Sequence, residues 1–229
     1  MLRPALAAVT LFALLAGCSS VPRKLEDVGP VYSPKNVRGP ATWPAALQRV
    51  AVLPAHDISG DLTRENLASY DPVWQRSLGA AQRAELVPVA RPRLSIWTGR
   101  DSISSTGLLP YGLLERIANE TGAQAVLFLD LTSVKSYPPL ALGFRARLAA
   151  LPGGETIWIA DELFDAADAE TARGARRFAR SNNSTPGDAG HGVLQSPSRF
   201  SAYAFHAVSG LLPVHPVPTP AVAPTQSKR

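Results

Sequence analysis

Three apolar segments in the middle of the chain constrain its fold more than any other feature. Residues 125–134 read Ala-Val-Leu-Phe-Leu-Asp-Leu-Thr-Ser-Val, which predicts one long strand. Residues 142–148 alternate, with arginines on one face of a second strand and apolar side chains on the other. Pro152-Gly153-Gly154 predicts a hairpin turn, after which the aromatic and β-branched residues 156–161 return antiparallel. This part of the chain therefore predicts antiparallel hairpins within a sheet.

The segments before and after this region alternate between strand and helix patterns. Residues 48–54, Gln-Arg-Val-Ala-Val-Leu-Pro, are almost continuously apolar, which favours a first strand buried on both faces. The other patterns predict a strand over 85–89, a short helix over 92–97, and longer helices over 71–83, 109–121, 166–180 and 196–210. Strands joined through helices pair in parallel, whereas hairpins pair antiparallel. The fold class that this order predicts is α/β: a single sandwich with a mixed, mostly central sheet flanked by helices and with flexible ends.

The N-terminus carries a short apolar segment that is followed by the only cysteine of the chain. Arg3 precedes an apolar run that is the length of a signal-peptide core and too short for a membrane span. The run ends in Leu15-Ala16-Gly17-Cys18, which resembles the lipobox of bacterial lipoprotein precursors. This resemblance implies cleavage between Gly17 and Cys18 and acylation of Cys18, for example with palmitate. The alternatives are an ordinary secretory signal and an uncleaved anchor.

These features divide the chain into four predicted segments. Residues 1–17 are the signal peptide, 18–47 are a lipidated cysteine with a proline-rich tether, 48–211 are the α/β domain, and 212–229 are a proline-rich tail that is extended or disordered. Residues 19–46 of this tether, when fully extended, reach roughly 90 Å at about 3.3 Å per residue. Ser19 follows the cysteine. In the Gram-negative lipoproteins that this motif resembles, an aspartate here favours retention in the inner membrane and a serine permits export to the outer membrane, so the resemblance implies the outer membrane.

The basic charge of the chain is dispersed rather than concentrated. The net charge is +5, and the densest cluster is Arg173, Arg176, Arg177 and Arg180 in a predicted helix that begins with acidic residues. Acids at the start of a helix and bases at its end suit the helix dipole. A solvated helix face explains this pattern, and the alternative is a patch for anionic lipid headgroups or an acidic envelope polymer. We expect no nucleic-acid partner for an acylated periplasmic protein.

The candidate catalytic and metal-binding residues form no recognisable constellation in the sequence. His56 follows the first strand, at the edge where α/β sheets often place ligands, but the chain has no Gly-x-Ser-x-Gly elbow. Asp161, Glu162 and Asp165 follow the tryptophan-containing strand, and capping of the next helix explains them more simply than acid–base chemistry does. His191, His206 and His215 show no zinc-like spacing. We therefore expect no enzyme activity, no metal and no cofactor.

Three motifs together resemble a group of envelope lipoprotein domains. They are Val50-Ala-Val-Leu-Pro54, Glu120-Thr-Gly-Ala-Gln-Ala-Val-Leu127 and Gly153-Gly-Glu-Thr-Ile-Trp158. The group includes the curli-secretion lipoprotein, the lipoprotein activators of penicillin-binding proteins, and the N-terminal domain of the Tol-system β-propeller protein. The resemblance covers about residues 48–164 and implies a stand-alone binding or scaffolding domain.

The sequence thus predicts a lipid-anchored protein on the periplasmic face of the outer membrane. Its expected role is non-catalytic binding or scaffolding in cell-envelope assembly or maintenance, with an envelope protein or peptidoglycan as partner. A periplasmic hydrolase of unrecognised type is an alternative that a deep pocket joining His56 to Asp161 would favour. A subunit of an envelope secretion assembly is another, which a large exposed apolar patch would favour.

Overall fold

The computed structural model describes residues 28–182 and 190–215, which form one seven-stranded mixed sheet with helices on both faces. The strands are β1 (Val37–Arg38), β2 (Arg49–Val52), β3 (His56–Asp57), β4 (Glu85–Pro88), β5 (Ala125–Lys135), β6 (Ala141–Ala150) and β7 (Thr156–Asp165). Their order across the sheet is β1-β7-β6-β5-β2-β4, and β3 also pairs with β5. The predicted α/β fold class is confirmed. The predicted flexible ends lie largely outside the described residues.

Helices cover the two faces of this sheet. They are α1 (Arg64–Ala68), α2 (Tyr70–Ala81), α3 (Arg91–Thr98), α4 (Leu113–Thr121), α5 (Ala169–Asn182) and α6 (Pro197–Ser209), with a short 3-10 helix at His191–Leu194. Side chains of α2, α5 and α6 belong to one buried cluster with one face of the sheet, and side chains of α3 and α4 belong to a second cluster on the other face. No helix in the described ranges is both long enough and apolar enough to cross a membrane.

The antiparallel half of the sheet follows the predicted apolar segments. β5 pairs with β6 and β6 pairs with β7, both antiparallel, and the Pro152-Gly153-Gly154 segment connects the last two strands. In β6, Phe144, Ala146 and Leu148 are fully buried, whereas the alternating arginines are partly exposed. Alternation by two places successive side chains on opposite faces, so this strand directs its apolar side chains into the larger cluster.

The parallel half of the sheet is centred on β2, which lies between β4 and β5. Val50, Ala51 and Val52 are almost completely buried, which confirms the predicted burial of this strand on both faces. Pro54 follows β2, and His56 and Asp57 then pair with β5 further along as β3. Proline donates no backbone hydrogen bond, which accounts for the break between the two short strands.

An aromatic cluster forms the centre of the larger core. The ring of Phe205 in α6 lies 5.1 Å from that of Trp74 in α2 and 5.0 Å from that of Phe144, and Phe144 stacks on Phe164 at 6.0 Å. All four side chains are at most 1% exposed. Burial of side chains of this size contributes roughly 1.5–3 kcal/mol each. The cluster therefore holds α2 and α6 against β6 and β7.

The structure differs from the sequence-based prediction at several element boundaries. α4 begins at Leu113 rather than at residue 109, because Pro110 and Gly112 precede it and Gly112 has φ +69°. β7 continues to Asp165, four residues beyond the predicted end. β1, β3 and α1 were absent from the prediction, since segments of two to five residues carry too little periodicity to recognise.

Candidate functional site

The segment between the predicted lipidation site and the first core strand lies on the domain wherever the structure describes it. We call residues 28–43 the strap. β1 in the strap adds to the sheet edge beside β7, with Val37 opposite Ala160 and Arg38 opposite Ile159. The sequence places this segment in a free tether, but its described part is held by side-chain and backbone contacts. Proline-rich composition and the lack of periodicity concealed these contacts.

Glu162 is the central attachment point of the strap. Its side chain lies on β7 and is 5% exposed. One carboxylate oxygen accepts a hydrogen bond from the Tyr32 hydroxyl at 2.5 Å, and the other accepts one from the Asn36 amide at 2.6 Å. Burial, followed by the hydrogen bond to Glu162 and its negative charge, raises the pKa of Tyr32 well above the usual value. The Tyr32 ring also packs edge-on against Phe164 at 5.1 Å.

The arginine cluster of α5 holds the start of the strap. Arg173 Nε donates to the Pro30 carbonyl at 2.8 Å, and Arg177 Nη2 donates to the Gly29 carbonyl at 3.1 Å. The Tyr32 amide also donates to the Glu170 carbonyl at 3.1 Å. The sequence interprets this cluster as a solvated face or an anion-binding patch. In the structure, two of its arginines bind the chain's own backbone.

The end of the strap is fixed in the core. The Trp43 side chain is 3% exposed, and its indole N–H donates to the Arg83 carbonyl at 2.7 Å. The Trp43 amide donates to the Val214 carbonyl at 2.8 Å, and the Val214 amide donates to the Ala41 carbonyl at 3.1 Å. Residues 41–43 therefore join the first part of the predicted tail to the domain.

Gly39 permits the strap to approach β7 closely. Its φ is +152°, and a Cβ at this position would lie 2.7 Å from Cδ1 of the Trp158 ring. A separation below 3.0 Å is not tolerated without movement of one of the groups. A residue without a side chain is therefore required where the strap crosses the tryptophan.

A row of polar residues crosses the opposite face of the sheet in register. His56, Asp130, Arg145 and Asp161 lie opposite one another on β3, β5, β6 and β7. Arg145 forms an ion pair with Asp161 at 2.5 Å, and His56 Nδ1 lies 3.1 Å from the Ser102 hydroxyl. His56 and Asp161 are separated by three strand spacings, or roughly 14 Å. They therefore do not form a catalytic pair, and each of them contacts another side chain of the domain instead.

The buried carboxylate of this row fixes a long loop onto the sheet. Asp130 is fully buried and accepts hydrogen bonds from the Ser105 amide at 3.1 Å and the Ser105 hydroxyl at 2.5 Å. Arg147 Nη1 donates to the Ser105 carbonyl at 2.6 Å. The same loop then carries Leu108 and Tyr111, whose side chains are 97% and 106% exposed. We call residues 105–111 the apolar loop.

A groove lies on the other face of the sheet, between helices. Its volume is about 520 Å³, and α2, α5, the 3-10 helix and α6 form its walls. Its basic lining residues are Arg76, Arg199 and His206, and Phe178 and Val193 are among its apolar ones. No residue of the polar row lines this groove, so it does not join His56 to Asp161.

The remaining candidate residues from the sequence have structural roles or lie outside the described ranges. Asp161 and Glu162 do not cap a helix as predicted, because β7 continues past them; Asp165 instead accepts a hydrogen bond from the Ala167 amide at 2.8 Å. His206 is exposed and its ring lies 4.9 Å from that of Phe178. Within residues 28–182 and 190–215, no three His, Cys, Asp or Glu side chains are grouped to hold a metal ion. Gly17 and Cys18 lie outside the described residues.

Helix α5 begins with an acidic cap that matches the predicted charge pattern. The Asp168 carboxylate accepts a hydrogen bond from the Thr171 amide at 2.8 Å. This backbone bond, helped by the Thr171 hydroxyl and the positive charge of Arg173, lowers the pKa of Asp168 despite some desolvation. The helix that carries the strap-binding arginines therefore has a charged, well-bonded start.

Comparison with known proteins identifies solved structures that this chain resembles. No protein-family model and no curated protein matches the sequence. The PelC dodecamer from Paraburkholderia phytofirmans is 16% identical, with a TM-score of 0.45, and the match covers 79% of this chain and 98% of that chain.

Two further structures show shorter matches. Lipoprotein GNA1162 from Neisseria meningitidis is 19% identical, with a TM-score of 0.35, and the match covers 53% of this chain and 81% of that chain. The LpoB C-terminal domain from Escherichia coli is 18% identical, with a TM-score of 0.34, and the match covers 52% of this chain and 83% of that chain. GNA1162 is named a lipoprotein, as are members of the group whose sequence motifs this chain resembles.

Proposed function

We propose that this chain is a lipoprotein acylated at Cys18, anchored in the outer membrane and facing the periplasm. Its α/β domain acts as a non-catalytic binding or scaffolding module in cell-envelope assembly or maintenance. The observation that carries this proposal is the position of the chain's single cysteine. It ends the Leu15-Ala16-Gly17-Cys18 motif and stands eleven residues before Gly29, where the strap begins its contacts with α5.

The contacts of the polar row support a non-catalytic role. A catalytic histidine and its orienting acid lie within hydrogen-bond reach of each other, and the paired carboxyl groups of glycoside hydrolases lie about 5–9.5 Å apart. His56 and Asp161 stand three strands apart, and Arg145 holds Asp161 in an ion pair. The carboxylate of Asp130 is taken up by Ser105. These side chains hold loops and strands in place.

The apolar loop supports a protein partner. Leu108 and Tyr111 expose nearly their whole side chains, although the loop is held by Asp130 and Arg147 through Ser105. Tyrosine is enriched among the residues that dominate protein interfaces. A loop held in one conformation also loses little freedom on binding. We therefore propose that an envelope protein, rather than peptidoglycan, contacts this loop.

The anchor is tested by intact mass spectrometry of the membrane fraction from cells that express the full precursor. We expect a mass that begins at Cys18 and carries acyl chains, and loss of this species in Cys18→Ala. Separation of inner and outer membranes then tests the location. A cleaved, unacylated wild-type protein would refute the anchor and would raise the weight of the hydrolase alternative.

The binding surface is tested by a photocrosslinking residue at position 111 in the native envelope. A matched probe at Arg116, which is exposed on the polar side of α4, serves as control. We expect a discrete protein adduct from position 111 that weakens in Leu108→Ser and is absent from position 116. Equal labelling from both positions would contradict a specific role for the apolar loop.

A further inference from the structure

The strap determines how far the domain can stand from the lipid anchor. From Cys18 to Gly29 the chain makes eleven residue steps. A fully extended chain of this length reaches roughly 36 Å at about 3.3 Å per residue. The contacts of Arg177 with Gly29 and of Arg173 with Pro30 prevent the rest of the proline-rich segment from adding to this reach. The bound strap therefore shortens the tether to well under half of the roughly 90 Å predicted from composition.

The same contacts determine which side of the domain is near the bilayer. A domain of about 180 residues has a radius of gyration of roughly 16 Å, so the path over its surface to the opposite side is roughly 60 Å. A spacer of roughly 36 Å can reach the side of such a domain but not its far face. The strap starts on α5, on the face of the sheet that α2 and α6 also cover.

We infer that the outer surface of α5, together with the start of the strap, is the face that the domain turns to the bilayer headgroups. This inference rests on the proposed acylation of Cys18. The chemistry of the surface suits that partner, since Arg173, Arg177 and Arg180 recur along α5 at helical spacing and guanidinium groups bind phosphate well.

The opposite face then points away from the membrane. α3, α4 and the apolar loop lie across the sheet from α5. Leu108 and Tyr111 would therefore be presented to the periplasm while the arginines of α5 stay near the lipid. Release of the strap as far as Trp43 would remove this orientation, because the spacer from Cys18 would then exceed the path around the domain.

The orientation is tested with the acylated full-length protein in vesicles of phosphatidylethanolamine and phosphatidylglycerol that carry a headgroup energy acceptor. Acylation blocks the chain's one cysteine, so a single introduced cysteine gives a unique site for a donor dye. Ala169→Cys places the dye at the exposed start of α5, and Leu108→Cys places it on the apolar loop as a matched control. We expect clearly greater energy transfer from position 169 than from position 108.

A second pair of proteins tests the role of the strap. Glu162→Ala combined with Arg173→Lys and Arg177→Lys replaces the groups that hold residues 29–36 and keeps the positive charge of α5. This combination, added to each labelled protein, should narrow the difference in energy transfer between positions 169 and 108. Equal transfer from the two positions with an intact strap would overturn the orientation, as would greater transfer from position 108. Vesicle flotation and intact mass report the anchor separately. If the protein floats with the vesicles but the two positions show equal energy transfer, only this inference is refuted. If the intact mass lacks the acyl chains, the proposed function is refuted as well.

Discussion

Glu162→Ala should release the strap while the core stays folded. Glu162 accepts bonds from the Tyr32 hydroxyl and the Asn36 amide at 2.5 and 2.6 Å and is 5% exposed. Hydrogen bonds to a charged group contribute about 1.5–3 kcal/mol each. Loss of both hydrogen bonds should therefore lower the free energy of strap docking by roughly 3–6 kcal/mol. The cost to global unfolding is smaller once the strap detaches, because detachment returns Tyr32 and Asn36 to water.

Hydrogen exchange at the Asp161 amide measures this directly. That amide donates to the Asn36 carbonyl at 3.0 Å, so it is protected by the strap. A reduction of about 3 kcal/mol in the opening free energy speeds exchange by roughly a hundredfold. The Ala146 amide, in the middle of β6 between two strands, should keep its protection.

Matched variants separate the carboxylate from general destabilisation. Glu162→Gln keeps one acceptor oxygen and should show a smaller increase in exchange at Asp161. Glu115→Ala removes an exposed glutamate from α4 and should change nothing. If Glu162→Ala folds and the Asp161 amide exchanges at the wild-type rate, then Glu162 does not hold the strap and the reasoning is wrong.

Four further predictions concern pH and stability. Because burial and Glu162 raise the pKa of Tyr32, the strap should be fully docked below pH 10, and its docking should weaken as the pH rises above that value. Tyr32→Phe should abolish this pH dependence. Hydrogen exchange of the strap amides measures both. Asp130→Ala should lower the free energy of unfolding by roughly 3 kcal/mol in a urea titration, since it leaves the Ser105 donors without their acceptor. Gly79→Ala should raise the free energy of unfolding by about 0.5–1 kcal/mol, because Gly79 lies in α2 and no atom lies within 4 Å of a Cβ added there. Gly39→Ala should lower the free energy of unfolding, because the added Cβ would clash with Trp158.

Local patterns in the sequence predict the sheet and its main helices. The strands over 125–134 and 142–148 are long and regular, so their hydrophobic pattern is clear even though their exact ends are not. The burial of β2 follows in the same way from four consecutive apolar residues after Arg49. Pro152 and the glycines after it mark the hairpin turn. These features depend on neighbours in sequence, which is why they can be predicted without coordinates.

The strap could not be predicted because its contacts join residues that are far apart in sequence. Tyr32 and Asn36 meet Glu162 across sequence separations of 130 and 126 residues. A single tyrosine or tryptophan among prolines gives no periodic signal. The sequence assigns the acidic residues of β7 to helix capping for the same reason, since their partners are known only once the strand register is known. The nearest signal was Trp43, the one tryptophan in this proline-rich segment.

The serial arrangement of the strap's bonds has a mechanical consequence. With Cys18 acylated as proposed, a force that draws the domain away from the membrane acts first at Gly29 and then on the bonds at Arg177, Arg173 and Glu162 one after another. Bonds that are loaded in series break one at a time and at low force, and each break adds residues to the free tether. The joint between Trp43 and Val214 lies last on this path. Stepwise release of the strap would thus lengthen the tether before the force reaches the helices and the aromatic core.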